Sequence, residues 1–229
     1  MKRFWREAGV VETASGYGVH LDGRRVRTQG GRELLVPSRD MAGALAAEWA
    51  AQGETVDPAR FVLRDLADFA IDVIAPDPAP IHDAILRFAE TDTLCYRAAP
   101  EEPLAARQAE VWDPLIAAIA ARRDVHFFPV SGVIYCAPPV HSIFRLGTVL
   151  ADLDPFTLSA LNTLASLSAS LIVALAAIEP DADVDALWRA AQLEELWQAE
   201  LWGQDFEAQA RRDRHHAAFV AAARFAALV

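Results

Sequence analysis

Between Tyr17 and Val36 the chain alternates between apolar and polar positions with a period close to two. YGVHL, RRVRT and ELLVP are short runs separated by Asp22-Gly23 and by Gln29-Gly30-Gly31. A period of two puts alternate side chains on opposite faces of a strand, and Gly23 accepts the positive φ of a tight hairpin. The stretch therefore predicts a three-stranded β-meander. After Pro37 the spacing changes. Met41, Leu45, Ala46 and Trp49 recur on one helical face, with Ser38 or Asp40 available as N-cap and Gly53 as terminator. This predicts one amphipathic helix packed on the meander.

From Asp57 onward the pattern is almost all helical: FVLRDLADFAIDVI, IHDAILRFAETDTLCYRA and EPLAARQAEVWDPLIAAIAARR. The clearest break is PDPAP, Pro76 to Pro80, where prolines remove backbone donors and bias their predecessors away from helix. The fold class expected is α+β: an N-terminal α+β domain over residues 1–76, then a larger all-helical domain over 77–229. One β-like interruption, VHFFPVSGVIYCA from Val125 to Ala137, is placed to return as a strand to the N-terminal sheet. Phe156 to Ile178 carries no charge over 23 residues, long enough to span a bilayer. Yet Ser159, Asn162, Thr163, Ser166 and Ser170 line one face, and both flanks are acidic without a basic anchor. The stretch reads as one central buried helix whose small residues let neighbours approach closely.

Composition narrows the function. A net charge of -11 makes nucleic acid an unsuitable partner, because non-specific affinity there comes from neutralising phosphates. The charge is uneven: residues 1–40 sum to +3 and the remainder to -14, so a basic partner surface would be steered to the C-terminal part. Two cysteines without a CxxC give neither a disulfide scaffold nor a thiolate metal site. The N-terminal MKRFWREAGVV has no apolar core of a signal peptide and no organelle-import character. A bacterial cytoplasmic protein, peripheral to a membrane at most, is the expectation.

Motifs for chemistry are weak. The glycines of GYGVHLDG precede strand-like alternation rather than opening a helix, and no GxxxxGK[ST] is present. The six histidines form no HExxH and no i, i+4 pair, so no metal is expected, and RRDRHH reads as the solvated face of the last helix. Cys95, with Asp92 and Arg97 beside it, could serve as a nucleophile, or it could simply pack in the core. Asp113-Pro114 has the order of an N-cap and first helical residue, or of a kink inside a longer helix.

In LEELWQAELWGQD, Leu193 to Asp205, two helical stripes result. Leu193, Trp197, Glu200 or Leu201, and Gln204 form an inward one. Glu194, Gln198, Trp202 and Asp205 form a mixed one, poor as core and good as interface, since Trp is enriched at binding hot spots. A catalytic carboxylate pair would need two groups converging in a cleft, which one helix face does not supply. Solvated surface, partner contact and catalysis stay open on pattern alone.

Eight segments together resemble one family, the assembly chaperone of the F-type ATP synthase that handles the alpha subunit of its catalytic head. They are KRFW (Lys2 to Trp5), GYGVHLDGRRVRT (Gly16 to Thr28), LLVPS (Leu34 to Ser38), AAEWAAQGETVDP (Ala46 to Pro58), LADFAID (Leu66 to Asp72), TDTLCYRA (Thr91 to Ala98), RQAEVWDPL (Arg107 to Leu115) and LEELWQAELWG (Leu193 to Gly203). Phe69 departs from the small or polar residue usual in LADFAID.

The resemblance implies a protein that is not an enzyme and needs no cofactor, metal or small-molecule substrate. It would cover the apolar interface of a free alpha subunit until the beta subunit replaces it. It makes Glu194 the sensitive position of the α-helical LE..xQ..xWG motif, followed by Gln198, Trp202 and Gly203, with Glu195 and Glu200 as acidic neighbours able to share the role. Asp92, Cys95, Arg97, Trp112 and Asp113, from TDTLCYRA and RQAEVWDPL, would be structural. Two other readings are a helical adaptor for a different partner and a small enzyme using Asp92, Cys95 and Arg97.

Overall fold

A computed structural model describes residues 2–132, 135–203 and 205–229. The chain forms two compact units. The first runs up to Pro78 and takes in Asp154–Ala160 and Arg224–Val229; the second is Ala79–Leu153 with Leu161–Ala223.

In the first unit, β1 (Ala8–Thr13) pairs antiparallel with β2 (Gly16–Leu21) over its whole length, from Ala8 opposite Leu21 to Thr13 opposite Gly16. Asp22 and Gly23, both at positive φ, turn the chain into β3 (Arg24–Arg25), which pairs with the end of β2. The third strand, β4 (Leu35–Val36), also pairs with β2, at Tyr17 and Gly18. The meander from Tyr17 is thus present with two differences. A preceding strand, β1, joins it, and β3 and β4 lie end to end along β2. Alternation in AGVVET is obscured because no residue of β1 is buried.

The helix α1 (Arg39–Ala50) is capped by Ser38, whose hydroxyl accepts from Met41 N at 3.0 Å, and buries Met41, Leu45, Ala46 and Trp49. It ends at Ala51, before Gly53 is reached. Trp5 stands edge-on to Trp49 (5.0 Å between centroids), and Trp49 packs on Phe61 at 4.5 Å. The Arg64 guanidinium covers both of the last two rings at 5.0 Å.

Arg64 belongs to α2 (Val62–Phe69), which runs on as a π-turn over Ala70–Ile74. This segment ties down the 28–32 loop: Asp68 accepts from Gln29 N at 3.1 Å, and Asp72 accepts from Thr28 Oγ1 at 2.8 Å and Gly30 N at 2.7 Å. A Cβ on Gly30 would lie 2.7 Å from the Asp72 carboxylate, so a side chain there would have to displace the carboxylate that holds the loop.

The second unit holds α3 (Ala79–Glu90), β5 (Tyr96–Arg97), α4 (Pro103–Arg123), β6 (Val130–Ser131) and α5 (Val140–Ala151). Pro114 lies inside the continuous α4, which decides between the two readings of Asp113-Pro114 in favour of the longer helix. Among its described residues the segment 125–137 does not return to the N-terminal sheet: they form one strand, β6, which pairs in parallel with β5, Tyr96 opposite Val130 and Arg97 opposite Ser131. A two-residue ladder is too short to leave a periodicity.

The uncharged stretch from Phe156 is not one helix. It is α6 (Pro155–Ser168) and α7 (Leu171–Ala177), separated by Ala169 at φ +49°. Partners at the break explain it. Ser170 caps α7 by accepting from Val173 N at 3.0 Å, the buried Asp92 accepts from Ile172 N at 2.9 Å, and Thr93 donates through its N–H and hydroxyl to Ala169 O. These bonds satisfy helix-end groups that would otherwise be orphaned inside the core. Among the described residues no helix is long and apolar enough to cross a membrane.

Three helices follow: α8 (Val184–Ala191), α9 (Leu193–Trp202) and α10 (Phe206–Ala226), the last of which ends in the first unit's Arg224–Val229. The expected fold class, α+β with a small antiparallel sheet and a larger helical part, is what the chain adopts.

Candidate functional site

The α9 helix starts where Gln192, in a near-bridge conformation, separates it from α8. It ends at Gly203, whose φ of +91° disfavours any side chain. Only Leu193 is fully buried. The helix therefore lies on the surface of its unit with one edge embedded, as a mixed sequence with two stripes requires.

Glu194 points inward. Its Oε1 accepts from the side-chain amide of Gln108 at 2.6 Å, and the Gln108 carbonyl oxygen accepts from Ala98 N at 2.8 Å. Gln108 itself is fully buried on α4. One amide thus joins β5's exit, α4 and α9. Gln108 was not singled out from sequence. The signal available was a polar residue on the inner face of α4, one turn before the buried Trp112 and in register with Ile116 and Ile119.

Gln198, Trp202 and Asp205 lie elsewhere. With Glu195, Ala199 and Arg212 they line a cleft of about 360 Å³ at the α9–α10 junction. Glu194 does not line this cleft, although it lies within about 80° of Trp202 around the helix. Asp205 is not on α9 at all. It caps α10, accepting from Glu207 N at 2.8 Å and Ala208 N at 3.4 Å. Within the stripe, Glu194 is bonded inward to Gln108, while Gln198 and Trp202 line the cleft. Of the inward stripe, Trp197 is half-buried, Glu200 and Leu201 are exposed, and Gln204 lies outside the described residues.

Large apolar side chains crowd this junction in the open. Trp202 is 79% exposed, Phe206 93% and Leu201 59%. Beside them Arg212, 8% exposed, bonds Gln209 at 2.8 Å and approaches Glu195 at 4.0 Å. RRDRHH is accordingly more than a solvated face. His216 contacts Asp185 at 2.7 Å and stacks on Trp188, joining α10 to α8.

Asp92, Cys95, Arg97, Trp112 and Asp113 do come together. The Arg97 guanidinium sits 5.1 Å over the Trp112 ring, bonds Asp113 at 2.7 Å and donates to Leu94 O at 2.8 Å, while Trp112 Nε1 donates to Ala190 O at 2.8 Å. Asp92 is spent on Leu94 N and Ile172 N, and burial pushes its carboxyl up to about 6. Burial, helped by the Asp92 charge, pushes the Cys95 thiol up to about 12 against the pull of Arg97. A thiol so placed stays protonated at neutral pH, and the pocket beside it, at about 20 Å³, has room for roughly one water. The arrangement links helices through Arg97, Trp112 and Asp113. Among the described residues no group of three or more His, Cys, Asp or Glu is arranged to hold a metal ion.

Comparison with known proteins gives a single answer. The sequence model of the ATP12 chaperone protein family matches residues 2–120. The crystal structure of Atp12 from Paracoccus denitrificans superimposes with a TM-score of 0.94 at 36% identity, covering 99% of this chain and 97% of that one, and a mutant form of it matches equally well. A protein of Agrobacterium tumefaciens matches with the same TM-score and identity, over 99% of this chain and 85% of its own. The resemblance carried by the eight segments is borne out: the chain belongs to the ATP12 chaperone family.

Proposed function

We propose that the protein is an assembly chaperone of the F-type ATP synthase that binds the free alpha subunit in the bacterial cytoplasm and catalyses no reaction. A free alpha subunit exposes an apolar subunit interface, and large exposed apolar patches self-associate unless covered. The protein would cover that patch until the beta subunit takes its place.

The observation that carries this reading is the α9–α10 junction. Trp202, Leu201 and Phe206 stand in solvent around a cleft rimmed by Glu195, Asp205 and Arg212. An exposed indole beside a cleft with a charged rim has the make-up of a binding hot spot, an apolar anchor within polar surroundings. Glu194, bonded to Gln108, contributes by fixing α9 rather than by touching the partner.

The test is co-purification of the full chain with the alpha and beta subunits of the same organism's synthase. The expected result is a complex with isolated alpha, lost when beta is added in excess. Capture of a different protein with no retention of alpha would transfer the surface to another partner and end the proposal.

A further inference from the structure

On the side of α9 away from the Trp202 cleft, two hollows of about 350 and 340 Å³ meet. Both are lined by Val111 of α4 and by Ala186 and Ala190 of α8, so they form one groove. Leu115 and Ala118 continue its α4 wall, and Leu193, Leu196 and Trp197 its α9 wall. Along α4 the groove extends from Arg107 to Arg122, about 22 Å at 1.5 Å per residue.

The charges sit at its ends. At one end are Asp181 and Asp183, together with a Glu179 already neutralised by Arg122 and Arg123. At the other are Arg107 and Arg189, with Glu200 as the acidic residue of the lining and Glu110, outside it, paired with Arg107 at 2.8 Å. Between them the lining is apolar, without the convergent polar groups that orient a small ligand.

The walls are helices whose backbone groups bond within themselves. An extended peptide would find no free donors or acceptors there and would leave its own backbone unpaired against an apolar floor. A helix brings its backbone bonds with it. Its N-terminus carries positive and its C-terminus negative partial charge, which match the acidic and the basic ends of the groove.

We propose that this groove receives one amphipathic helix of the partner protein, about 15 residues long, with a basic N-terminal turn at Asp181 and Asp183 and an acidic C-terminal turn at Arg107 and Arg189. The identification of that partner as the alpha subunit rests on the function proposed above. The groove would hold a helix of the partner while the Trp202 cleft holds its apolar edge.

The test uses the full chain and a synthetic helical peptide of about 15 residues with Leu at i, i+4, i+7 and i+11, a Lys-containing first turn and a Glu-containing last turn. A second peptide has the charges exchanged. Saturable binding of the first peptide is expected, weakened about tenfold or more by Ala118→Trp, which fills the groove from an exposed position of α4. Arg189→Glu should weaken the first peptide and strengthen the second. Should Ala118→Trp fail to fold by circular dichroism, Ala186→Leu fills the same groove more gently.

Absence of binding, or equal binding by the filled variant, would overturn the proposal. So would a concentration-dependent dimer abolished by Ala118→Trp, which would make the occupant a second copy. Capture of the alpha subunit at full strength by Ala118→Trp would remove the groove and leave the chaperone function standing. Peptide bound at the groove with no capture of alpha would do the reverse.

Discussion

Glu194 on α9 accepts a 2.6 Å hydrogen bond from Gln108, a residue with no solvent exposure on α4. The contact makes the acidic position of the LE..xQ..xWG motif a positioning residue. A lysine there accepts nothing and leaves the buried amide unpaired, at a cost of about 1–3 kcal/mol. Urea denaturation of Glu194→Lys should show that loss, whereas Glu194→Gln, which keeps an acceptor oxygen, should lose less than half as much. Equal stability of Glu194→Lys and the parent chain would show that the bond does not hold α9.

Acidification should stabilise the fold in the mild range. Burial is the first cause that pushes Asp92 and Asp68 up to about 6, and Glu48 is shifted in the same direction. In the unfolded chain the aspartates titrate near 3.8. Between those values the folded state binds more protons, so this contribution to stability is largest below about pH 4 and declines as pH rises through about 6. The melting temperature should therefore rise from pH 7.5 to about 5.5, and Asp92→Asn should flatten that rise while lowering stability, because an amide has one acceptor oxygen for Leu94 N and Ile172 N. Asp22, lowered by bonds from Glu7 and Arg6, works oppositely only below the ordinary carboxylate range.

Thiol reactivity separates the two cysteines. Cys136 is exposed, while the Cys95 thiol is held near 12 by burial. Alkylation of the native protein at pH 8 should modify Cys136 and spare Cys95, with both reacting in denaturant. Rapid modification of native Cys95 would restore the reading of it as a nucleophile.

The parts legible in sequence were those with a repeating pattern or a turn signal. The hairpin at Asp22-Gly23, the Ser38 cap and the buried face of α1 follow from local rules. The break at Ala169 does not, because the groups that stabilise it, Asp92 and Thr93, are more than 75 residues away in the chain. The same holds at the site. Trp202 and Gln198 could be assigned to a surface from helical spacing, but the inward bond of Glu194 depended on Gln108, 86 positions earlier, and the placement of Asp205 on where Gly203 ended α9. The β-like segment that holds β6 was visible but its partner β5 was not, since a two-residue parallel ladder is set by the contact and not by either strand's own pattern.

The central claim is that the exposed face of the α9–α10 junction binds the synthase alpha subunit. It is tested most directly by the dissociation constants of the parent chain and Trp202→Ala for purified alpha, alongside their melting curves. Trp202 is 79% exposed, so its removal should move stability by no more than about 0.5 kcal/mol, while loss of a hot-spot indole should weaken binding by about 2 kcal/mol or more, some thirtyfold. Unchanged affinity for alpha in a well-folded Trp202→Ala protein would contradict the account.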